Sequence, residues 1–305
     1  MSKPKNAFAV RCHEVGDKEK HLYRYAESYF GKENTFFVIN NDPKKIQVPD
    51  GFNHIIFHHD LILSKDSLFW PRDCGWKCGD YCYYAMHNAL TGYDFFWLAE
   101  PDVKICCDNP ATFFSEFEKK EEDFLATFLG TASSKLFFYP TAKVLEAEPM
   151  SCLFPVTRLR ANKVARLYDI RKKVSTRFIK RELMPREYPN DEIFVATVSR
   201  RIGLSHAALD KLSSFDFSLF RSDKSSFFLK DDVKDVKGRF LIHPMLDEKE
   251  YIRKKVNNFR NVLQESRELQ TWTQSQLKKT SDKKIKEQLR EKFIGEFKEF
   301  LRKID

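Results

Sequence analysis

Five residues of this chain have the types and placement to do chemistry together: Glu100, Asp102, Asp191, Glu192 and His243. Glu100 and Asp102 close the apolar run Phe95-Phe-Trp-Leu-Ala99, which reads as a strand buried on both faces and entered through a turn at Gly92. Carboxylates at the carboxyl end of such a strand offer hard oxygen ligands where open α/β sheets bind their substrates, which suits a divalent cation carrying phosphates. The competing reading of Glu-x-Asp after a strand is a solvated turn. Asp191 and Glu192 follow Asn190 at the start of a helix, where a carboxylate either caps the helix or takes a proton from a nucleophile. His243 ends the apolar stretch Phe240-Leu-Ile242 and precedes Pro244, as a site histidine or a partly buried one.

Those residues need a scaffold, and the elements alternate up to about residue 245. Residues 7–12, 35–40, 52–58 and 95–98 read as strands, 17–30 and 73–90 as helices between them, and 124–129 and 135–139 as further strands. Helices follow at 162–174 and from 192 to 201, the second ended by Gly203. The pattern gives an α/β fold with a doubly wound, mostly parallel mixed sheet flanked by helices. Two domains follow from composition: 1–246 for the sheet, and 247–305, poor in Gly and rich in Lys, Arg and Glu, as a C-terminal helical extension. In 283–303, Ile285, Leu289, Phe293, Phe297, Phe300 and Leu301 share one face of an amphipathic helix. That helix is expected to pair with 249–269 or pack on the sheet, with peripheral membrane contact as the alternative.

At 305 residues, 42% hydrophobic and 32% charged, the chain can bury one large core or two modest ones. No run reaches the ~18 apolar residues of a membrane span and no secretory signal opens the chain, so the expected location is cytoplasmic, or the inner face of a membrane. Seven cysteines fit reduced thiols, and the four-residue spacing of Cys74, Cys78 and Cys82 fits buried helix packing better than a zinc or iron–sulfur site. The net charge of +9 favours anionic partners, but the 53 basic residues are interspersed with 44 acids, against a nucleic-acid binder.

The order of a strand ending near Arg11, a strand ending at Asp42, the segment Trp70-Pro-Arg-Asp-Cys-Gly-Trp-Lys-Cys-Gly-Asp80 and then Trp97-Leu-Ala-Glu-Pro-Asp102 resembles the nucleotide-sugar half of GT-A-type glycosyltransferases. The later segments Tyr188-Pro-Asn-Asp-Glu-Ile-Phe194 and Gly238-Arg-Phe-Leu-Ile-His-Pro244 extend the likeness. The resemblance implies a nucleotide-sugar donor, a divalent metal (Mn2+ or Mg2+) on Glu100, Asp102 and His243, and nucleotide contacts from Arg11, Asp42, Arg72, Trp76, Lys77 and Asp80. It also implies Asp191 or Glu192 as the base of an inverting transfer to a glycan or lipid-linked hydroxyl. Glu in place of the usual first Asp, and Pro101 between the acids, depart from the family pattern. The alternatives are another nucleotide-binding transferase, nucleotidyl- or methyltransferase, or a basic nucleic-acid-binding protein. The Gly-rich fingerprint and P-loop that would favour some of these enzymes are absent.

Overall fold

The computed structural model describes residues 4–59, 68–221 and 227–257, with single positions beyond. The chain divides into a larger unit, Met1–Ser222 with Asp235–Met245, and a smaller one, Asp223–Lys234 with Leu246–Asp305.

The larger unit includes the strands β1 (Asn6–Cys12), β2 (Thr35–Asn40), β3 (His54–Phe57), β4 (Phe95–Ala99), β5 (Lys104–Cys106), β6 (Phe124–Thr131), β7 (Met150–Arg160) and β8 (His206–Ala208). Helices α1 (Asp17–Phe30), α2 (Cys74–Lys77), α3 (Asp80–Ala89), α4 (Ala111–Ser115), α5 (Val164–Ile179), α6 (Asp191–Arg201) and α7 (Leu209–Leu212) lie between them. Seven strands form one sheet in the order β3-β2-β1-β4-β7-β6-β8. The first three pairings, through β3, β2, β1 and β4, are parallel, β7 is antiparallel to β4 and β6, and β8 is parallel to β6. This is the expected mixed, mostly parallel, GT-A-like doubly wound sheet.

Strand side chains alternate between faces, and both faces are covered. Ala7 and Ala9 of β1 face the cluster that includes Tyr81 and Cys82 of α3 and Phe194 of α6. Phe8 and Val10 face the cluster with Leu22 and Tyr23 of α1 and Phe113 of α4. Double coverage explains why β4 is buried at every residue and reads as an unbroken apolar run. Cys74, Cys78 and Cys82 are buried free thiols.

Three local expectations differ. The helix expected over 73–90 is two, because the chain leaves helical hydrogen bonding at Cys78 and Gly79 before α3 starts. Residues 136–139 are apolar or aromatic, but 135–139 form a turn rather than a strand: Leu136 N–H donates to Ser133 O (3.0 Å), Tyr139 N–H to Leu136 O (3.0 Å), and the short helix Tyr139–Leu145 follows. The 11-residue strand β7, central to the sheet, stands where no strand was expected.

In the smaller unit, β9 (Phe228–Leu229) leads to Lys230, whose N–H donates to Leu246 O (2.9 Å), and residues 248–257 form a helix, α8, the start of the C-terminal helical extension. The Phe227 and Tyr251 rings meet edge to face at 5.2 Å. The amphipathic helix expected over 283–303 lies outside the described residues, apart from isolated helical positions. Among the described residues no helix is long and apolar enough to cross a membrane.

Candidate metal site at the carboxyl end of the sheet

β4 ends at Ala99, and Glu100 to Asp102 turn the chain into β5, with Val103 N–H donating to Glu100 O (3.2 Å). β5 pairs antiparallel with β10 (Phe240–Ile242), Ile242 opposite Lys104. That ladder carries the next residue, His243, to the acidic turn, and Met245 N–H donating to Asp102 O (2.8 Å) holds the two segments together. His243 Nε2 lies 3.5 Å from Asp102 Oδ1 and 3.9 Å from Glu100 Oε2. One ligand atom from each of the three falls within 4.8 Å of the others.

Two features fit this cluster to a cation. His243 Nδ1 lies 2.6 Å from Arg221 O, and a carbonyl only accepts, so Nδ1 carries a proton and Nε2 is the ring nitrogen turned to the carboxylates. Asp102 Oδ1 is buried with no hydrogen-bond partner. A buried carboxylate oxygen left unpaired costs free energy that a cation would recover. Two carboxylates and one imidazole are a donor set for Mn2+ or Mg2+ rather than for a thiophilic metal. The residues present fit the group.

Arg11 is next to last in β1 and shares the face of Ala7 and Ala9, so its guanidinium points among α2, α3 and α6. Nη1 donates to Glu100 Oε1 (2.8 Å) and Asp191 Oδ2 (3.1 Å); Nη2 donates to Gly75 O (2.6 Å) and Trp76 O (3.1 Å). Burial alone would lower its pKa, but Glu100 and Asp191 outweigh this and raise it, so the cation is fixed. Asp191 Oδ2 also accepts from Gly79 N (2.8 Å) and Oδ1 from Glu192 N (2.9 Å). A Cβ on Gly79 would stand 2.2 Å from Arg11 Nη1 and 2.5 Å from Asp191 Oδ2, so the absence of a side chain there lets both approach. Asn190 caps α6, its Oδ1 accepting from Ile193 N (3.2 Å), and its amide donates to Glu192 Oε2 (3.1 Å).

Burial pushes the Asp191 carboxyl up to about 7, with Arg11 pulling the other way. Glu192 is pushed up to about 8, by burial first and then by the charge of Asp191.

The other residues expected to meet a nucleotide are spread out. Asp42 caps the turn Pro43–Lys45, accepting from Lys44 N (3.0 Å). Arg72 is exposed, Trp76 is 60% exposed, and Lys77 pairs with Asp73 (3.0 Å). Asp80 is elsewhere: it is 1% exposed, and both its oxygens accept from Arg171 at 2.8 Å, with Tyr84 OH as a further donor. Arg171 also donates to Pro189 O (2.8 Å), just before the α6 cap, so this pair positions α3 and α6 rather than reaching a ligand. Sequence reasoning passed over Arg171, but a signal was there: Val164, Leu167, Arg171, Val174 and Phe178 fall on the buried stripe of α5, and a cation on that stripe requires a buried anion.

No family model matches the chain, and no curated protein matches it. Among solved structures the chain is similar to the inositol-1-phosphate CTP transferase from T. maritima, at TM-score 0.36 and 9% identity, over 68% of this chain and 86% of that chain.

Proposed function

We propose that the chain is a metal-dependent transferase acting on a nucleotide-activated substrate, with the diphosphate bound at Glu100, Asp102 and His243. The observation that carries this reading is Asp102 Oδ1, a buried carboxylate oxygen without a hydrogen-bond partner, facing an imidazole whose other nitrogen is fixed by Arg221. A divalent cation there supplies charge neutralisation to a departing phosphate. Asp102 and His243 bind it, Glu100 completes the set while tethered by Arg11, and the exposed Arg72 on the neighbouring segment steers the anion.

Two reactions fit this site. Nucleotidyl transfer to a phosphorylated acceptor, such as a sugar phosphate, is favoured by the engagement of Asp191: its carboxylate is committed to Arg11 and Gly79, and a phosphate nucleophile arrives ionised and needs no base. Glycosyl transfer from a nucleotide sugar to a glycan or lipid-linked hydroxyl is favoured by Glu192, which is pushed up to about 8 and so suits general-base work near neutral pH. The chain incubated with Mn2+ and nucleoside triphosphates plus sugar phosphates should release pyrophosphate under the first reaction. With nucleotide sugars and hydroxyl acceptors it should release nucleoside diphosphate under the second. Neither product, together with no thermal stabilisation by any nucleotide with Mn2+, would sink the transferase reading.

A further inference from the structure

We infer that Phe128 is a stacking platform for a neutral sugar ring and, on the transferase reading above, for a ring of the acceptor. Phe128 is 45% exposed, and its backbone is left-handed, with φ 51°. A bulky side chain in that region is a steric outlier, and such outliers persist only where the surroundings impose them. Here the surroundings can be named. The β6–β7 ladder shifts register between Ala126 and Thr127 and again between Thr127 and Gly130, a bulged stretch that re-aims the side chain within it. The pairing of β6 with β8 ends at Ala126, and Phe128 N–H donates instead to Asp210 Oδ1 (2.6 Å) in α7. Glycine would take this backbone without strain, so what the conformation holds in place is a large ring in water.

That ring ends a row of aromatic rings leading from the metal cluster. Phe128 and Phe217 lie 6.4 Å apart at 70°, Phe217 and Phe220 5.9 Å at 61°, and Phe220 and His243 5.2 Å at 34°. Phe217, Phe220 and His243 are buried, so the row opens to water at Phe128. The sheet gives the same placement. β6 runs parallel to β4, each being antiparallel to β7, so both reach the carboxyl end of the sheet. Glu100 N–H donates to Pro155 O (2.8 Å) in β7 and β6 is the next strand, which puts Phe128 two strand spacings, about 10 Å, from the acidic turn. Arg11 reaches Glu100 from β1, on the other side of β4. A metal-bound diphosphate whose nucleoside lies toward Arg11 therefore leaves the Phe128 side for the group transferred and for the acceptor.

An aromatic face is negative at its centre and attracts the weakly positive C–H groups on the apolar face of a sugar. Asp210 accepts from the Phe128 amide and lies 3.8 Å from Lys211 Nζ, so its charge is answered within the protein and selects no charged ligand. A half-exposed ring suits a sugar that keeps its hydroxyls in water. A nucleobase, which a pocket encloses, fits it less well.

The test is saturation-transfer NMR of the full chain with the methyl pyranosides of glucose, galactose, mannose and N-acetylglucosamine, in EDTA and again with Mn2+ and uridine diphosphate. At least one glycoside is expected to bind the parent in one of the two conditions, with the strongest transfer to its axial C–H protons. Phe128→Gly should cut that affinity about tenfold or more, and Phe128→Trp should keep most of it. The Tm of the empty Phe128→Gly protein should hold or rise, because glycine relieves the left-handed backbone. No glycoside bound by the parent in either condition, or unchanged binding by Phe128→Gly, would overturn the inference. So would loss of the thermal shift by uridine diphosphate and Mn2+ in Phe128→Gly with glycoside binding intact, since a nucleobase would then be the occupant. The transferase reading fails separately: glycoside binding that depends on Phe128, with no nucleotide stabilising the parent in Mn2+, would count against that reading and leave the sugar platform standing.

Discussion

Two carboxylate sites of the larger unit, buried Asp80 and the half-buried pair Glu100 and Asp102, are finished differently. Around Asp80 every acceptor is met: two guanidinium nitrogens of Arg171 and the Tyr84 hydroxyl occupy its oxygens. At the ends of β4 and β10 one oxygen of Asp102 has no hydrogen bond, and His243 stands 3.5 Å away with its other nitrogen fixed. A closed pair defines where helices sit. An open cluster stores an unsatisfied interaction for something that arrives later. Arg11 lies between the two, spending both terminal nitrogens on protein acceptors while tethering one member of the open cluster.

The largest effect should come from opening the closed set. Asp80→Asn leaves the Arg171 guanidinium buried against a neutral partner, and breaking a buried pair on one side costs about 3–5 kcal/mol. Urea unfolding should show a fall of that order, while Arg171→Met combined with Asp80→Asn should recover much of it. If Asp80→Asn were as stable as the parent, the pair would not position α3 and α6.

Asp102→Asn on the open side should behave in the opposite way. The empty protein keeps its Tm or gains slightly, because Oδ1 makes no hydrogen bond that the substitution would break. Thermal stabilisation by Mn2+ should disappear, and turnover, once a substrate is found, should fall by about a hundredfold or more. His243→Ala should weaken the Mn2+ response with little change in the empty protein's Tm. Unchanged Mn2+ stabilisation in both variants would leave the cluster without a metal role.

Gly79→Ala tests the bridge between the two sets. Its Cβ would collide with Arg11 Nη1 and Asp191 Oδ2, so the pair must part, at a cost of about 1–3 kcal/mol. Because Arg11 also tethers Glu100, Mn2+ affinity should fall with stability. Lost stability with intact Mn2+ affinity would show that the tether is dispensable.

The contrast also marks what the sequence could disclose. The strand ends were readable because β1, β2 and β4 are buried on both faces and leave unbroken apolar runs that stop at Arg11, Asn40 and Glu100. The acidic turn and His243 were readable as ligand types at strand ends. β7 was hidden because Met150-Ser-Cys-Leu-Phe-Pro-Val-Thr-Arg-Leu-Arg160 carries a proline and mixed polarity. Pro155 sits where the ladder with β6 shifts register, and Arg158 is buried by donating to Phe117 O (2.8 Å) rather than by being apolar. The charged pairs span 91 residues for Asp80 and Arg171 and 180 for Arg11 and Asp191, and no local pattern encodes a partner at that distance. The turn at 135–139 was misread as a strand because period alone does not distinguish a buried run from an exposed one.

The last effect concerns Glu192, whose environment separates a base from a cap. Its folded pKa, about 8, lies well above the ordinary carboxylate value because burial and Asp191 disfavour the charge. A carboxyl raised on folding binds more protons in the folded state than in the unfolded one between the two values, so its contribution to stability is complete below the unfolded pKa and declines as pH rises toward 8. Glu192→Gln cannot titrate. The Tm difference, variant minus parent, should therefore become more positive from pH 5 to pH 8 in EDTA, with Asp191 adding a slope of the same sign to both proteins. A flat difference across that range would mean that Glu192 titrates as an ordinary carboxylate, and glycosyl transfer would lose its candidate base while nucleotidyl transfer, which needs none, would be untouched.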